Sequence, residues 1–377
     1  MSAENSSQNL VGLDCQELER LVLSLGKAPY RARQLYHALY CRRELNLAAL
    51  TELDSHFRAA LAAHYEITYP QAQGEFISKD GSARYLLRLQ DNTSIETVYI
   101  PEEERVTLCL SSQAGCAVGC RFCFTALLGL QRNLSAGEIL GQVLAIAKLR
   151  AIRPGSRLNL VFMGMGEPLL NFAPVMKAIR IFADPRGFGI PLRRITISTS
   201  GIVPRMRELA CDPRRPKLAI SLNASSEQQR TELMPINRKY PLSELLRACR
   251  AYPLRPRELL TFEYVLLGGF NDTDADALRV ADLLRGMRAK VNLIPYNPGS
   301  ELPYRPSPLE RVLAFQQLLT ERSIPAYIRI SRGQDVGAAC GQLRLEGMRD
   351  RVPGEPEVRH SERSEESRPA SGLGASG

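Results

Sequence analysis

Cys116-Ala117-Val118-Gly119-Cys120-Arg121-Phe122-Cys123 places three thiols in one short loop, spaced by three residues and then two. Three thiolates this close can bind three irons of a [4Fe–4S] cube and leave the fourth iron open, because thiolate is the protein ligand such clusters require. A closed, four-cysteine cluster carries electrons. An open iron is a place where a small molecule can coordinate. The alternatives are a structural zinc site and three unligated cysteines. Zinc normally takes four ligands, and none of the four histidines, His37, His56, His64 and His360, lies near the loop.

Outward from this loop the chain reads as repeated strand–helix units. Apolar strand-like runs fall at 106–110, 158–163, 195–198, 218–222, 260–266, 291–294 and 326–330. Helical periodicity falls between them, at 135–149, 172–182, 226–233, 242–251, 274–285 and 309–322. Ser135 and Glu138 have the capping-box spacing that opens the first of these helices. The alternation predicts an α/β fold, a parallel sheet flanked by helices, open or curled into a partial barrel. Ligand-binding residues then gather at the C-terminal ends of the strands, and the cysteine loop follows the first of them.

Other strand ends carry polar groups. Gly164-Met165-Gly166-Glu167-Pro168 ends the second strand. Glycines let backbone approach a ligand closely, and a carboxylate there can accept from an amine. Ser198-Thr199-Ser200-Gly201 ends the third strand, Ser221-Leu222-Asn223 the fourth, and Asn297 follows the sixth. Singly these are turn and cap residues; at successive strand ends they are candidates to line one cofactor pocket. Cys109 lies on the first strand, seven residues before the cluster loop. Cys340 lies in the small-residue stretch 333–341, which packs poorly and suits a loop that brings a thiol to a substrate.

The N-terminal part is different. Helical patterns at 14–25 and 30–43 precede strand-like runs at 74–78, 83–89 and 94–100, with the turn signals Asp80-Gly81 and Asp91-Asn92 between the runs. Arg31, Arg33, Arg42 and Arg43 are interleaved with Tyr36 and Tyr40, a mix that suits an RNA grip or a stabilising accessory domain. The expected division is an accessory domain over 1–101, a catalytic core over 102–348 and a disordered tail over 349–377, rich in Ser, Glu, Arg, Gly and Pro.

The 377-residue chain is 44% hydrophobic with a formal net charge of +9, the balance of a globular protein with a polyanionic partner. It has no apolar run of about 18 residues, and its polar start lacks a signal core. A cytoplasmic protein with no membrane segment is expected. Nine cysteines, an odd number at no regular disulfide spacing, fit a reducing compartment. Cys15, Cys41, Cys211 and Cys249 read as packing residues.

From about residue 96 to 343 the sequence resembles the radical S-adenosylmethionine (SAM) RNA adenine methyltransferases of the RlmN/Cfr family. The resemblance rests on Glu96-Thr97-Val98-Tyr99-Ile100-Pro101, the run from Cys109 to Cys116, and the three cluster cysteines with Phe122. It rests equally on Phe162-Met163-Gly164-Met165-Gly166-Glu167-Pro168, Ser198-Thr199-Ser200-Gly201, Asn292-Leu293-Ile294-Pro295-Tyr296-Asn297 and Ala338-Ala339-Cys340-Gly341. It implies a partial (β/α)6-type radical SAM barrel, preceded by a helical accessory domain with a β extension. It implies a [4Fe–4S] cluster on Cys116, Cys120 and Cys123, and SAM bound by Gly166, Glu167, Ser198, Ser221, Leu222, Asn223 and Asn297.

The reaction implied is methylation of adenine C2, a carbon that is not nucleophilic, at the cost of two SAM molecules per turnover. The first SAM methylates Cys340. The second, cleaved at the open iron, gives a 5′-deoxyadenosyl radical that takes hydrogen from that methyl group. The carbon radical adds to adenine, and Cys109 attacks the Cys340 sulfur, which releases methylated RNA and leaves a Cys109–Cys340 disulfide. Glu96 matches the family's proton acceptor. The implied partners are 23S rRNA at the peptidyl-transferase centre, tRNA at the adenine next to the anticodon, a flavodoxin-like low-potential electron donor and a disulfide reductant; a monomer suffices.

The competing readings are a Cfr-like methyltransferase of adenine C8, a non-catalytic RNA-binding paralogue and a radical SAM enzyme with a small-molecule substrate. Retention of Cys109, Cys116, Cys120, Cys123 and Cys340 speaks against the paralogue, and the basic charge against a small substrate. Two departures bear on SAM geometry. Phe124 stands where a small or polar residue is expected, and Asn223 where a His is common.

Overall fold

The computed structural model describes residues 8–298, 301–343 and 345. Ten strands form the main sheet: β1 Gln71–Ile77, β2 Ala83–Arg88, β3 Ser94–Glu102, β4 Arg105–Cys109, β5 Leu158–Phe162, β6 Ile195–Thr199, β7 Lys217–Ser221, β8 Leu260–Leu266, β9 Ala289–Pro295 and β10 Ala326–Ile328. Their spatial order is their chain order, with β1 at one edge and β10 at the other. β1 to β4 form an antiparallel meander. β4 to β10 are parallel.

A parallel sheet that never reverses its order, with right-handed crossovers, puts its connecting helices on one face. The other face is left to curl inward as an open barrel. The crossovers run through Ala136–Leu149, Phe172–Ala183, Val203–Cys211, Glu227–Leu233 with Leu242–Arg250, Asp274–Leu284, and Leu309–Glu321. These are the six units of the expected (β/α)6 arrangement, closed by a short seventh parallel strand, β10. The Ser135 capping box is formed: its hydroxyl accepts from the Glu138 amide while Glu138 reaches back to the Ser135 amide.

Side chains on a strand alternate between faces. Leu158, Leu160 and Phe162, Ile195 and Ile197, Leu218 and Ile220, Phe262 and Tyr264, Val291 and Leu293 are all buried against the helices. Each apolar side chain of this kind contributes about 1.5–3 kcal/mol when removed from water. The alternate positions, among them Ser198, Ser221, Glu263, Val265 and Ile294, face the barrel interior.

The N-terminal helices are Cys15–Ser24, Tyr30–His37 and Ser55–His64, the last not anticipated. The interleaved tyrosines are not an RNA-facing surface. Tyr36 is 2% exposed and Tyr40 0%. The Tyr40 hydroxyl accepts from the Gly12 amide and donates to the Leu13 carbonyl. Spaced four apart, the two rings fall on the apolar stripe of the helix and pack edge-on at 4.9 Å. Among the cysteines expected to pack, Cys249 is buried and Cys15 and Cys41 are half-buried, but Cys211 at the end of its helix is exposed. β3 runs through the expected boundary at residue 101 and pairs with β4. The segment read as a tail, 349–377, lies outside the described residues.

Candidate active site

The cysteine loop stands on the barrel mouth. A short hairpin, Gln113–Gly115 against Leu130–Asn133, holds its base, and the Cys116 amide donates to the Gly129 carbonyl at 2.8 Å. Farther along, the Arg121 amide donates to the Leu233 carbonyl, which ties the loop to the helix after β7. Cys116, Cys120 and Cys123 all line one cavity. Burial pushes the Cys116 thiol up to about 12 and carries Cys120 and Cys123 upward as well. Such thiols keep their protons unless a bound cation displaces them, which is what metal ligation does.

Arg230, 1% exposed, lies close enough for its charge to favour the Cys120 thiolate. It makes no ion pair among the described residues and donates instead to the Ser200 and Ser221 carbonyls and to Asn237. Three thiols beside a buried guanidinium that makes no direct ion pair among the described residues fit an anionic iron–sulfur cluster. Among the described residues no three side chains converge tightly enough to hold a single metal ion. A cube spreads its thiolates over three separate irons.

Glu167 and Gly166 line the same cavity. The Glu167 carboxylate accepts from the Ser200 amide at 2.7 Å, the Ser200 hydroxyl at 2.8 Å and the Leu169 amide at 3.0 Å. Burial pushes this carboxyl up, and those bonds oppose the shift. The glycines before it serve the protein more than a ligand. A Cβ on Gly164 would meet the Leu110 carbonyl at 2.7 Å, and one on Gly166 would meet Gln113 at 2.5 Å. The loop packs backbone to backbone against 110–113, and Gln113 Oε1 accepts from the Glu167 amide.

Ser198, Ser221, Asn223 and Asn297 complete the polar wall. Leu222 points the other way, 0% exposed among the helices, as strand alternation dictates after an inward Ser221. Asn223 has φ 54, a left-handed conformation that Asn tolerates better than most residues. Its Oδ1 accepts from the Val265 amide at 2.9 Å. Phe124 is buried outside the cavity wall, and its amide donates to the Gly341 carbonyl.

Register brings the remaining residues together. Val98 pairs with Cys109 on one side and with Arg84 on the other, and Glu96 lies two residues from Val98. Directly opposed residues share a face, so Cys109, Glu96 and Arg84 all face the barrel interior. Burial pushes the Cys109 thiol far up, and a thiolate at Cys340, where one forms, would add to that shift. Cys340 lines the cavity yet is exposed at its mouth, and the wall around its thiol together with the Glu263 carboxylate pushes that thiol upward. Glu96 is 0% exposed, paired with Arg84, and not in the cavity wall.

The model of the radical SAM superfamily matches residues 110–281, and that of the ribosomal RNA large subunit methyltransferase N-terminal domain matches residues 8–67. A probable dual-specificity RNA methyltransferase RlmN from Koribacter versatilis is 50% identical over 337 residues, which cover 85% of this chain and 97% of the relative. The chain belongs to the RlmN family of radical SAM RNA methyltransferases. The dual-specificity RNA methyltransferase RlmN of an Anaeromyxobacter species is 48% identical over 354 residues, 92% of each chain. The crystal structure of a radical SAM methyltransferase from Sphaerobacter thermophilus superposes with a TM-score of 0.85 at 44% identity, covering 89% of this chain and 99% of that one.

In this RlmN-family chain, sequence reasoning missed Glu263 and Arg230, and it quoted Asn292 in a motif without giving it a role. Glu263 faces the cavity at 8% exposure and accepts from Asn292 Nδ2 at 2.9 Å. Its signal was a lone carboxylate at an inward position of an apolar strand. Arg230 gave no signal, because its position on a short helix looks like a solvated one. Among the described residues, no helix is long and apolar enough to cross a membrane.

Proposed function

We propose that this chain methylates C2 of adenine in 23S rRNA at the peptidyl-transferase centre and in tRNA next to the anticodon, using two SAM molecules per turnover. The observation that carries the reading is that Cys116, Cys120, Cys123, Glu167 and Cys340 line one cavity, with Cys109 on the inward face of the first barrel strand. Cys116, Cys120 and Cys123 would hold a [4Fe–4S] cluster, which when bound supplies the electron that cleaves SAM to a 5′-deoxyadenosyl radical.

The chain's own residues do the rest. Glu167 offers its carboxylate to the SAM amino group beside Gly166, while Ser198, Ser221, Asn223 and Asn297 offer hydroxyl and amide groups. Cys340 gives up its thiol proton, accepts a methyl group at Sγ and presents it to the adenine. Glu96 takes the proton that leaves C2, and the odd electron of the adduct would return to the bound cluster. Cys109 attacks the Cys340 sulfur, the carbon that leaves sulfur takes up a proton to become the methyl group of the base, and the two cysteines are left as a disulfide that an external reductant resets. A flavodoxin-like donor feeds the electron. The enzyme works as a monomer in the cytoplasm, and its +9 charge draws it to RNA.

The test is mass spectrometry of the Cys340 peptide from anaerobically purified protein, with mass mapping of the nucleoside formed in RNA. A methyl group on Cys340 and 2-methyladenosine in the product support the proposal. 8-Methyladenosine would move the target carbon and keep the carrier. An unmodified Cys340 in iron-loaded protein would refute the two-stage route.

A further inference from the structure

The loop that carries Cys340 is tied at both ends. On one side Asn297 Nδ2 donates to the Cys340 carbonyl at 3.3 Å, Gln334 donates to Asn297 at 2.8 Å, and the Phe124 amide donates to the Gly341 carbonyl at 2.9 Å. On the other side the loop is tied to the β1–β2 hairpin. Asp335 accepts from the Ser78 hydroxyl at 2.6 Å and the Lys79 amide at 3.2 Å, and Asp80 accepts from the Gly333 amide at 3.0 Å. Arg84 on β2 donates from Nε to the Val336 carbonyl at 2.7 Å and pairs through its other arm with Glu96.

Arg84 and Glu96 are 3% and 0% exposed, and neither lines the cavity. A buried ion pair adds little net stability over apolar residues of the same shape. Stability alone therefore gives no reason for an arginine here. What arginine does that lysine cannot is fix two acceptors at once through a rigid fork. One acceptor is the Glu96 carboxylate. The other is the backbone four residues before Cys340. The register already places Arg84, Glu96 and Cys109 on one face, beneath that loop.

We propose that Arg84 is a positioning residue that holds the Cys340 loop and the Glu96 carboxylate in a single arrangement, so that methyl carrier and proton acceptor reach the adenine together. The inference rests on the roles proposed above for Cys340 and Glu96. Asp335 and Asp80 latch the same loop from its solvent side.

Arg84→Lys keeps a charge beside Glu96 and gives up the second arm. The readout is the ratio of 5′-deoxyadenosine formed to methylated adenosine, measured on full-length, cluster-loaded protein with an RNA transcript. The ratio is expected to rise about tenfold, the factor that loss of one charge-assisted hydrogen bond gives, while iron content and the methylated fraction of Cys340 stay at the unsubstituted level. Asp335→Asn, on the exposed side of the loop, should raise the ratio by a smaller factor, about threefold. An unchanged ratio in both variants overturns the inference and leaves the Cys340 reading standing. So does loss of iron in Arg84→Lys with an unchanged ratio in Asp335→Asn. If the unsubstituted protein bears no methyl on Cys340, the proposed function falls first and the inference with it.

Discussion

Gly166→Ala separates two uses of a glycine. The residue has φ +96, and an added Cβ would lie 2.5 Å from Gln113 Cβ and 2.8 Å from its backbone nitrogen. A left-handed alanine costs about 1–3 kcal/mol, and overpacking against a fixed neighbour costs about 1–3 kcal/mol more. Gln113 cannot swing aside, because its amide donates to the Met165 carbonyl and its side chain donates to Asn133. A penalty of about 3 kcal/mol is therefore expected even with no ligand bound. For the unit spanning Met1–Leu345 the entropy of unfolding is roughly 0.7 kcal/mol/K, so the melting temperature should fall by about 4 °C. The assay is thermal melting of the cluster-free protein, with SAM binding by equilibrium dialysis alongside. If the cluster-free variant melts within about 1 °C of the unsubstituted protein and loses only SAM binding, the glycine serves ligand approach and the packing argument is wrong.

Cys109→Ala should accumulate a covalent protein–RNA adduct, visible as a shifted band on a denaturing gel; normal turnover would remove Cys109 from resolution. Cys340→Ala should lose all methylation and remain brown, and a colourless protein would show that the cluster ligands are misassigned. Burial raises the Glu263 carboxyl above the ordinary glutamate value, so its folded-state stability is present at acid pH and lost as pH rises through that raised value. Glu263→Gln keeps an acceptor for Asn292 without the charge, so its melting temperature relative to the unsubstituted protein should grow between about pH 5 and about pH 8; a difference that shrinks would contradict the burial argument. Deleting residues 349–377 should leave methylation within about twofold of the full chain, and a larger loss would place RNA contacts there.

The site was legible wherever its chemistry lies close together in the chain. Cys116, Cys120 and Cys123 sit together in one loop, and Ser198, Ser221 and Asn297 are read from their places at strand ends. Leu222 shows the limit of that reading: a motif includes it, but alternation turns its side chain into the core. Tyr36 and Tyr40 were ambiguous because an amphipathic stripe and an aromatic RNA surface use the same spacing. Glu263, Arg230 and Arg84 acquire meaning only through neighbours far away in sequence. Val336 is 252 positions from Arg84 and Asp335 is 257 from Ser78, and no local pattern encodes such a pairing.

The chain-ordered sheet also sets the order in which the enzyme is made. Each strand emerging from the ribosome finds its partner already in place, so the barrel can grow from β1 to β10 without waiting for distant sequence. The hairpin residues Ser78, Asp80 and Arg84 are the exception. Their partners are synthesised about 250 residues later. Closing a free loop of that length would cost about 5 kcal/mol, but by then the sheet has already drawn the two edges into place, and only the few residues after β10 remain to be ordered. Maturation of the site thus waits until the loop after β10 has been made. A nascent chain stopped before Gly333 would already have Cys116, Cys120 and Cys123 but not yet Cys340, the thiol proposed to carry the methyl group.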